Sequence, residues 1–194
     1  MNYTVRKATE NDRASVATAI SLSFQKIFAV FTKDMTRMAK VFESGIEIDR
    51  FFVAEENSEI IGIAAFGDCV KRVLSATKTD CTSSLGTIRG TLAHRVIRSE
   101  LMRPHSYPPT TAYIDILGVL PQARGKGVAK ALLRELTISC PQYTDFVLDV
   151  DSINEPAIKS YTDFGFVEYE RVRVIKFLKR AKIYMKYTPK ESSN

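Results

Sequence analysis

The chain has 194 residues, 45% of them hydrophobic, with 28 Lys+Arg against 22 Asp+Glu for a formal charge of +6, three Cys, two His and no Trp. These fractions describe ordinary globular protein and exclude a disordered chain, a collagen-like repeat and a coiled coil. A domain of this length buries about 70% of the surface its unfolded chain exposes, so neither disulfides nor a metal are needed to hold a core.

Tyr3 to Lys7 alternates and predicts a first strand. Thr9 followed by Asp12 is a helix-start signal, and the helix runs to about Phe24 with Ala14, Ala17, Ile20 and Phe24 on one face. Phe24, Phe28 and Phe31 continue at helical spacing, as core or as core and binding wall together. Phe51–Glu55 and Ile60–Phe66 read as strands joined by a turn at Asn57-Ser58, an antiparallel hairpin. Cys69 to Thr110 lacks strand character; Leu85, Ile88, Leu92, Val96 and Ile97 predict a helix ending near Leu101, followed by a Pro-rich exit from Arg103 to Pro109. From Ala112 the pattern tightens. A strand, Ala112–Val119, leads through the glycine loop Gln122–Gly127 into an amphipathic helix carrying Val128, Leu132, Leu133 and Leu136, which ends before Pro141. A strand at Phe146–Val150 follows, then a helix capped by Asn154 and closed after Phe164 by Gly165. Phe166–Leu178 and Lys182–Tyr187 form a terminal strand pair.

The charge is unevenly placed. Residues 165–190 carry eight Lys/Arg against two Glu, and residues 71–103 seven basic against two acidic side chains. Clustered cations invite a nucleic-acid or membrane reading, because they release counterions from phosphate backbones. Alternation offers another: Lys182, Tyr184 and Lys186 opposite Ile183, Met185 and Tyr187 describe a half-buried sheet with a solvated basic face or a Lys-guarded edge. Residues 104–164 carry five basic against seven acidic side chains, so anion binding there rests on backbone N–H groups rather than bulk charge. Cys69, Cys81 and Cys140 form no Cys-x-x-Cys, and His94 and His105 have no Cys or carboxylate at ligand spacing, so no metal site is expected. The odd cysteine count and the absence of an apolar leader lead us to expect a cytoplasmic protein, and no run approaches the ~18 apolar residues of a membrane helix.

Gly125 and Gly127 stand at the start of a helix directly after a strand, where several N–H groups can face one point without Cβ obstruction. Such a point suits an anion, above all a phosphate. A dinucleotide fingerprint fails because Lys130 stands where the third glycine belongs, and a P-loop fails because no Gly-Lys-Ser/Thr ending is present. Two glycines that only shape a strand-to-helix turn are the plain alternative.

Gln122-Ala123-Arg124-Gly125-Lys126-Gly127, within the run from Ile116 to Leu133 and followed by Asn154, Ala157, Tyr161, Gly165 and Phe166, resembles the two motifs of the GCN5-related N-acetyltransferase (GNAT) superfamily. The resemblance is strong from Ala112 to Phe166, fair over the first strand, first helix and hairpin, and poor over 69–110. It implies an α/β fold: a mixed, mainly antiparallel twisted sheet with two strands splayed apart, flanking helices, and a helical insertion between the third and fourth strands. One acetyltransferase domain then spans residues 1–190, with a tail at 191–194.

The resemblance further implies acetyl-CoA as donor and no metal. Carried over by position, the N–H groups of Arg124, Gly125, Lys126, Gly127, Val128 and Ala129 cradle the CoA pyrophosphate. Lys126, Lys130 and Arg134 lie within reach of it or merely on a solvated helix face. Leu117 and Val119 pair their backbone with the pantetheine arm, the Val119 N–H doubling as oxyanion donor. Asn154 caps its helix and contacts pantetheine. Tyr161 takes the general-acid place, where a phenol of ordinary pKa about 10 protonates or hydrogen-bonds the departing thiolate; a core tyrosine is the alternative. Asp115 takes the place of the base, on the face that period-two alternation shares with Tyr113, Leu117 and Val119. An Asp exposed on a strand edge or paired with a basic side chain is the alternative, with Asp149 and Asp151 in reserve, the latter also suited to shaping the turn before Asn154. The thiols lie outside both motifs, which favours direct transfer to an amine in a ternary complex over a covalent relay. The implied partners are acetyl-CoA and an amine of a small molecule or peptide, with no nucleic acid and no membrane, in a monomer or homodimer. A non-catalytic acyl-CoA-binding sensor is the alternative function. Residues 69–110, with Phe24 to Phe31, are expected to cover the acceptor side.

Overall fold

The computed structural model describes residues 2–175 and 180–189. Strands β1 (Thr4–Lys7), β2 (Phe51–Glu56), β3 (Glu59–Gly67), β4 (Thr111–Val119), β5 (Asp145–Asp151), β6 (Val167–Ile175) and β7 (Arg180–Tyr187) form one sheet in the order β1-β2-β3-β4-β5-β7-β6. Every neighbouring pair is antiparallel except β4 and β5. The expected continuation of β6 to Leu178 and the tail 191–194 lie outside the described residues. The β2–β3 hairpin turns at Asn57 and Ser58, both at positive φ (52° and 64°), which gives the twist that two-residue hairpins need.

Helices cover both faces. Five, α1 (Arg13–Ser23), α2 (Gln25–Phe28), α3 (Met35–Phe42), α4 (Lys78–Leu85) and α5 (Thr87–Glu100), share a core with Phe51, Val53, Ile63, Ala65 and Ile116 of the sheet. On the opposite face α6 (Val128–Ser139) and α7 (Glu155–Phe164) pack over Phe52, Ala54, Ala64, Ile114 and Leu148. Burying Leu132, Leu133 and Leu136 of α6 contributes about 1.5–3 kcal/mol each.

The Thr9 signal opens a 3-10 turn, Glu10–Asp12, that leads into α1: the Asp12 carboxylate accepts the Thr9 N–H at 2.8 Å. Its buried face is Val16, Ala17, Ala19 and Ile20, whereas Ala14 is exposed. Phe28 and Phe31 are core residues, and Phe24 meets Phe28 edge-on at 6.5 Å. Apolar periodicity does not predict α3 or α4, yet both carry cap signals. Asp34 accepts from the N–H groups of Thr36 and Arg37 at 3.0 and 3.3 Å, and Thr77 with Asp80 forms a capping box.

The helix expected around Leu85–Leu101 exists as α5, but it buries a different face. Ile88, Leu92 and Val96 are exposed (87%, 56% and 38%), while Gly90, Ala93 and Ile97 are buried. The reason is close approach: a Cβ on Gly90 would overlap the backbone of Cys81 and Thr82, so the small-residue face is the one that fits against α4.

The basic strand β7 is neither an edge nor a freely solvated face. It lies between β5 and β6, and its cations meet the alternate carboxylates of β5. Lys182 pairs with Asp149 at 3.1 Å, Lys186 with Asp145 at 3.4 Å and Arg180 with Asp151 at 2.5 Å. The edge belongs to β6, where Arg171 binds Glu168 at 2.7 Å.

Candidate functional site

Strands β4 and β5 pair only from Thr111–Tyr113 to Asp145–Val147, and their remaining lengths diverge. Along the open part, β4 stays bonded to β3, with the Leu120 N–H donating to the Ile61 carbonyl at 2.9 Å. Because N–H direction alternates along a strand, Leu117 and Val119 turn their backbone groups away from β3, into the gap. The Val119 carbonyl accepts from Arg124 Nε at 3.2 Å, while its N–H is unpaired among the described residues.

At the end of β4 the glycine loop passes into α6. Gly125 (φ 76°) and Gly127 (φ 78°) both occupy the left-handed region, and a Cβ on Gly125 would meet nothing within 4 Å. The N–H groups of residues 125–130 donate to no protein acceptor among the described residues, and the Gly127 carbonyl accepts the first helical bond, from Ala131 at 3.1 Å. This concentrates unpaired donors and the positive end of the α6 dipole on one open point. A cleft of about 470 Å³ lined by Asn2, Tyr3, Glu56, Gly125, Lys126 and Gly127 lies beside it. Lys126 is tied to Glu56 at 3.3 Å; Lys130 and Arg134 are exposed on α6.

The second motif frames the gap from α7. Asn154 is the N-cap, but through its backbone: its carbonyl accepts from Ala157 and Ile158 at 3.1 Å, and its exposed side chain makes no capping bond. Gly165, at φ 122°, closes the helix by donating to the Tyr161 carbonyl at 3.1 Å. Ala157, Ile158 and Tyr161 pack on the same apolar cluster as Leu117 and Val119. The Tyr161 ring lies 6.0 Å from Phe166, and its hydroxyl has no partner among the described residues. Burial, reinforced by the negative charge of Asp149, pushes this phenol up to about 12. At neutral pH it is a proton donor, not a base.

Asp115 does not share a face with Leu117 and Val119. Ala65 pairs with Ile116 and Phe66 with Ile114, so Asp115 is the extra residue of a β-bulge. The bulge shifts the alternation by one: Asp115 keeps the Tyr113 side, Ile116 enters the core beneath α1, and Leu117 and Val119 turn to the α6–α7 side. There the Asp115 carboxylate, 3% exposed, binds Arg72 at 2.8 Å and His105 Nε2 at 2.9 Å.

Neither basic partner is marked by a motif. Arg72 follows β3, and His105 lies in the Pro-rich exit from α5; the only sequence signal is that a strand Asp flanked by apolar residues needs a cationic partner. The same loop brings His105 into a stack on Tyr113, ring centroids 3.6 Å apart, and sets the Tyr107 hydroxyl 2.7 Å from that of Tyr169 on β6. Tyr113 donates a hydrogen bond to Asp149, which also pairs with Lys182. Burial, then Asp149, holds the Tyr113 phenol well above its ordinary value. Asp151 stands apart, bound to Arg180 and accepting the Ile153 N–H at 3.2 Å, as suits a turn residue.

Burial pushes the thiols of Cys81 and Cys140 up to about 11, which makes them poor nucleophiles at neutral pH. Among the described residues no group of three or more His, Cys, Asp or Glu could hold a metal, and no helix is long and apolar enough to cross a membrane.

Among solved structures, an N-acetyltransferase from Staphylococcus aureus Mu50 superposes with a TM-score of 0.62 at 15% identity, covering 95% of this chain and 100% of its own. The putative acetyltransferase yncA of Salmonella typhimurium, solved with acetyl-CoA, gives 0.63 at 19% identity over 100% and 98%. The ribosomal-protein-alanine N-acetyltransferase of Brucella melitensis gives 0.60 at 17% over 96% and 99%. At these identities the likeness is one of fold. No curated relative matches the chain. The family model of the acetyltransferase (GNAT) family matches residues 22–166, which take in α2 to α7, the splayed strands and the glycine loop, and the chain belongs to that family.

Proposed function

We propose that the chain is an acetyl-CoA-dependent N-acetyltransferase that passes the acetyl group directly to an amine in a ternary complex. The observation that carries this reading is the run of unpaired N–H groups at residues 125–130, set beside the open gap into which Leu117 and Val119 turn their backbones. The N–H groups of Gly125, Lys126, Gly127, Val128 and Ala129 hold the CoA pyrophosphate, with the charge carried by backbone dipoles rather than by side chains, whereas the Arg124 N–H expected to join them donates to the Pro121 carbonyl at 3.3 Å. The pantetheine arm pairs with Leu117 and Val119 as an extra strand would, and the free side chain of Asn154 meets it from α7. The Val119 N–H polarises the thioester carbonyl, a donor fixed before the reaction begins. Tyr161, protonated at neutral pH, donates to the leaving sulfur, and Asp115 serves removal of the amine's proton across the sheet. Two of the three thiols are buried and held near 11, and the half-buried Cys69 lies outside both motifs, which favours direct attack over an acetyl-cysteine relay.

Detection of free thiol from acetyl-CoA with a panel of small amines, amino acids and peptides tests the reading. Release of CoA with at least one acceptor, together with a mass gain of one acetyl group on it, is the expected result. Tight acetyl-CoA binding with no turnover across the panel would instead establish a binding module.

A further inference from the structure

We infer that His105 is the residue that takes the proton from the acceptor amine, and that Asp115 is its positioning residue. This rests on the acetyltransferase reading above and assigns its base. Asp115 is poorly placed to act alone: its Oδ1 is shared by the Arg72 guanidinium at 2.8 Å and His105 Nε2 at 2.9 Å, and its side chain is buried. A carboxylate held by a guanidinium has its charge already matched. An ionised carboxylate only accepts hydrogen bonds, so Nε2 carries the hydrogen, and in the neutral imidazole the lone pair is then on Nδ1. Nδ1 has no partner among the described residues, and the side chain is 13% exposed, so it reaches solvent.

The location suits the task. Tyr113, on which the imidazole stacks, is the last β4 residue paired to β5, so His105 sits at the point where the strands part. Tyr113 in turn donates to Asp149, whose charge is felt by the Tyr161 phenol. The ionisable groups around His105 are Asp115 and Tyr113 on β4, Arg72 after β3 and Tyr107 on its own loop, with Asp149 and Lys182 one hydrogen bond further.

The amine nitrogen forms a bond to the thioester carbon and gives one proton to Nδ1, while Nε2–H stays on Asp115. The C–S bond breaks, and the sulfur leaves as a thiolate that receives the Tyr161 proton. The imidazolium then returns its proton through water to the Tyr161 phenolate, leaving amide and CoA thiol.

The test compares wild-type enzyme with His105→Gln and His105→Gly, measuring acetyl-CoA affinity by calorimetry and turnover across pH. The expectation is unchanged acetyl-CoA affinity, a kcat loss of about 100-fold or more at neutral pH in both variants, and partial rescue of His105→Gly by added imidazole. The loss in His105→Gln should shrink as pH rises, because hydroxide then takes the proton that Nδ1 otherwise accepts. Asp115→Asn should lower kcat and shift the pH profile, because the amide no longer fixes the imidazole's free nitrogen. A His105→Gln enzyme with wild-type kcat and pH profile would overturn the inference while leaving the acetyltransferase reading intact, and so would loss of acetyl-CoA binding without imidazole rescue. A wild-type protein that binds acetyl-CoA but turns over no amine overturns both.

Discussion

Replacing Gly125 with Ala separates the loop's work in binding from its place in the fold. At φ 76° a side chain is strained, but the space around the position is open, since a Cβ there meets nothing within 4 Å. Strain is therefore the whole stability cost, about 1–2 kcal/mol, with no clash to add. For a chain of this size each kcal/mol lowers Tm by roughly 2–4 °C. Relief of the strain rotates the neighbouring N–H groups away from their common point. Losing one charge-assisted hydrogen bond to a phosphate costs about 1.5–3 kcal/mol, which weakens acetyl-CoA binding by roughly 10- to 150-fold. Gly86→Ala is the control: Gly86 also has a positive φ (82°) with open space around it, and it lies between α4 and α5, outside the glycine loop. Calorimetric Kd values with melting curves on the three proteins decide the matter. A Tm loss in both variants with weakened acetyl-CoA binding only in Gly125→Ala is expected; unchanged binding in Gly125→Ala would refute the cradle.

Tyr161→Phe should bind acetyl-CoA normally and lose about 100-fold or more in kcat, because the leaving thiolate loses its proton donor; wild-type turnover in stopped-assay thiol release would return Tyr161 to the core. Asp68 supplies a pH dependence of stability. Burial alone would raise its pKa, but the N–H groups of Lys71 and Val70, with Arg50 and Tyr143, hold it down to about 2. A carboxyl depressed in the folded state contributes fully above its ordinary value of about 3.9 and loses that contribution as pH falls toward 2, an effect of order 2 kcal/mol. Urea unfolding between pH 6 and pH 2.5 should show the fall in wild type and a flatter curve in Asp68→Asn. Leu132→Ala, at a fully buried site beneath the glycine loop's helix, should cost about 2–5 kcal/mol in the same assay, whereas Ile138→Ala, 67% exposed on the same helix, should stay within about 0.5 kcal/mol.

Much of the site is legible along the chain because its chemistry is local. Left-handed backbone at Gly125 and Gly127, the helix start at Thr9 and the closing glycine at 165 each depend on a few consecutive residues. So does the alternation that places Leu117 and Val119 on one face. The order of the two motifs then suffices for the sheet, its parallel pair and the family. What escapes is set by contact between distant segments. The α5 stripe of Ile88, Leu92 and Val96 looks like a core face, but Gly90 permits the closer approach and wins.

The sequence by itself determined the glycine loop, the strand–loop–helix run around it and the position of Tyr161, since these follow from backbone conformations that few residue types allow. Only the tertiary structure decided which way Asp115 points, because one extra residue in β4 opposite Phe66 inverts the alternation. It also brought Arg72 and His105 to that carboxylate from segments 43 and 10 residues away in the chain, a pairing that no local rule encodes. The C-terminal charge shows the same division. Composition gave its size, but register alone laid Lys182, Lys186 and Arg180 against Asp149, Asp145 and Asp151, turning an apparent polyanion-binding stretch into a cross-strand ladder of ion pairs.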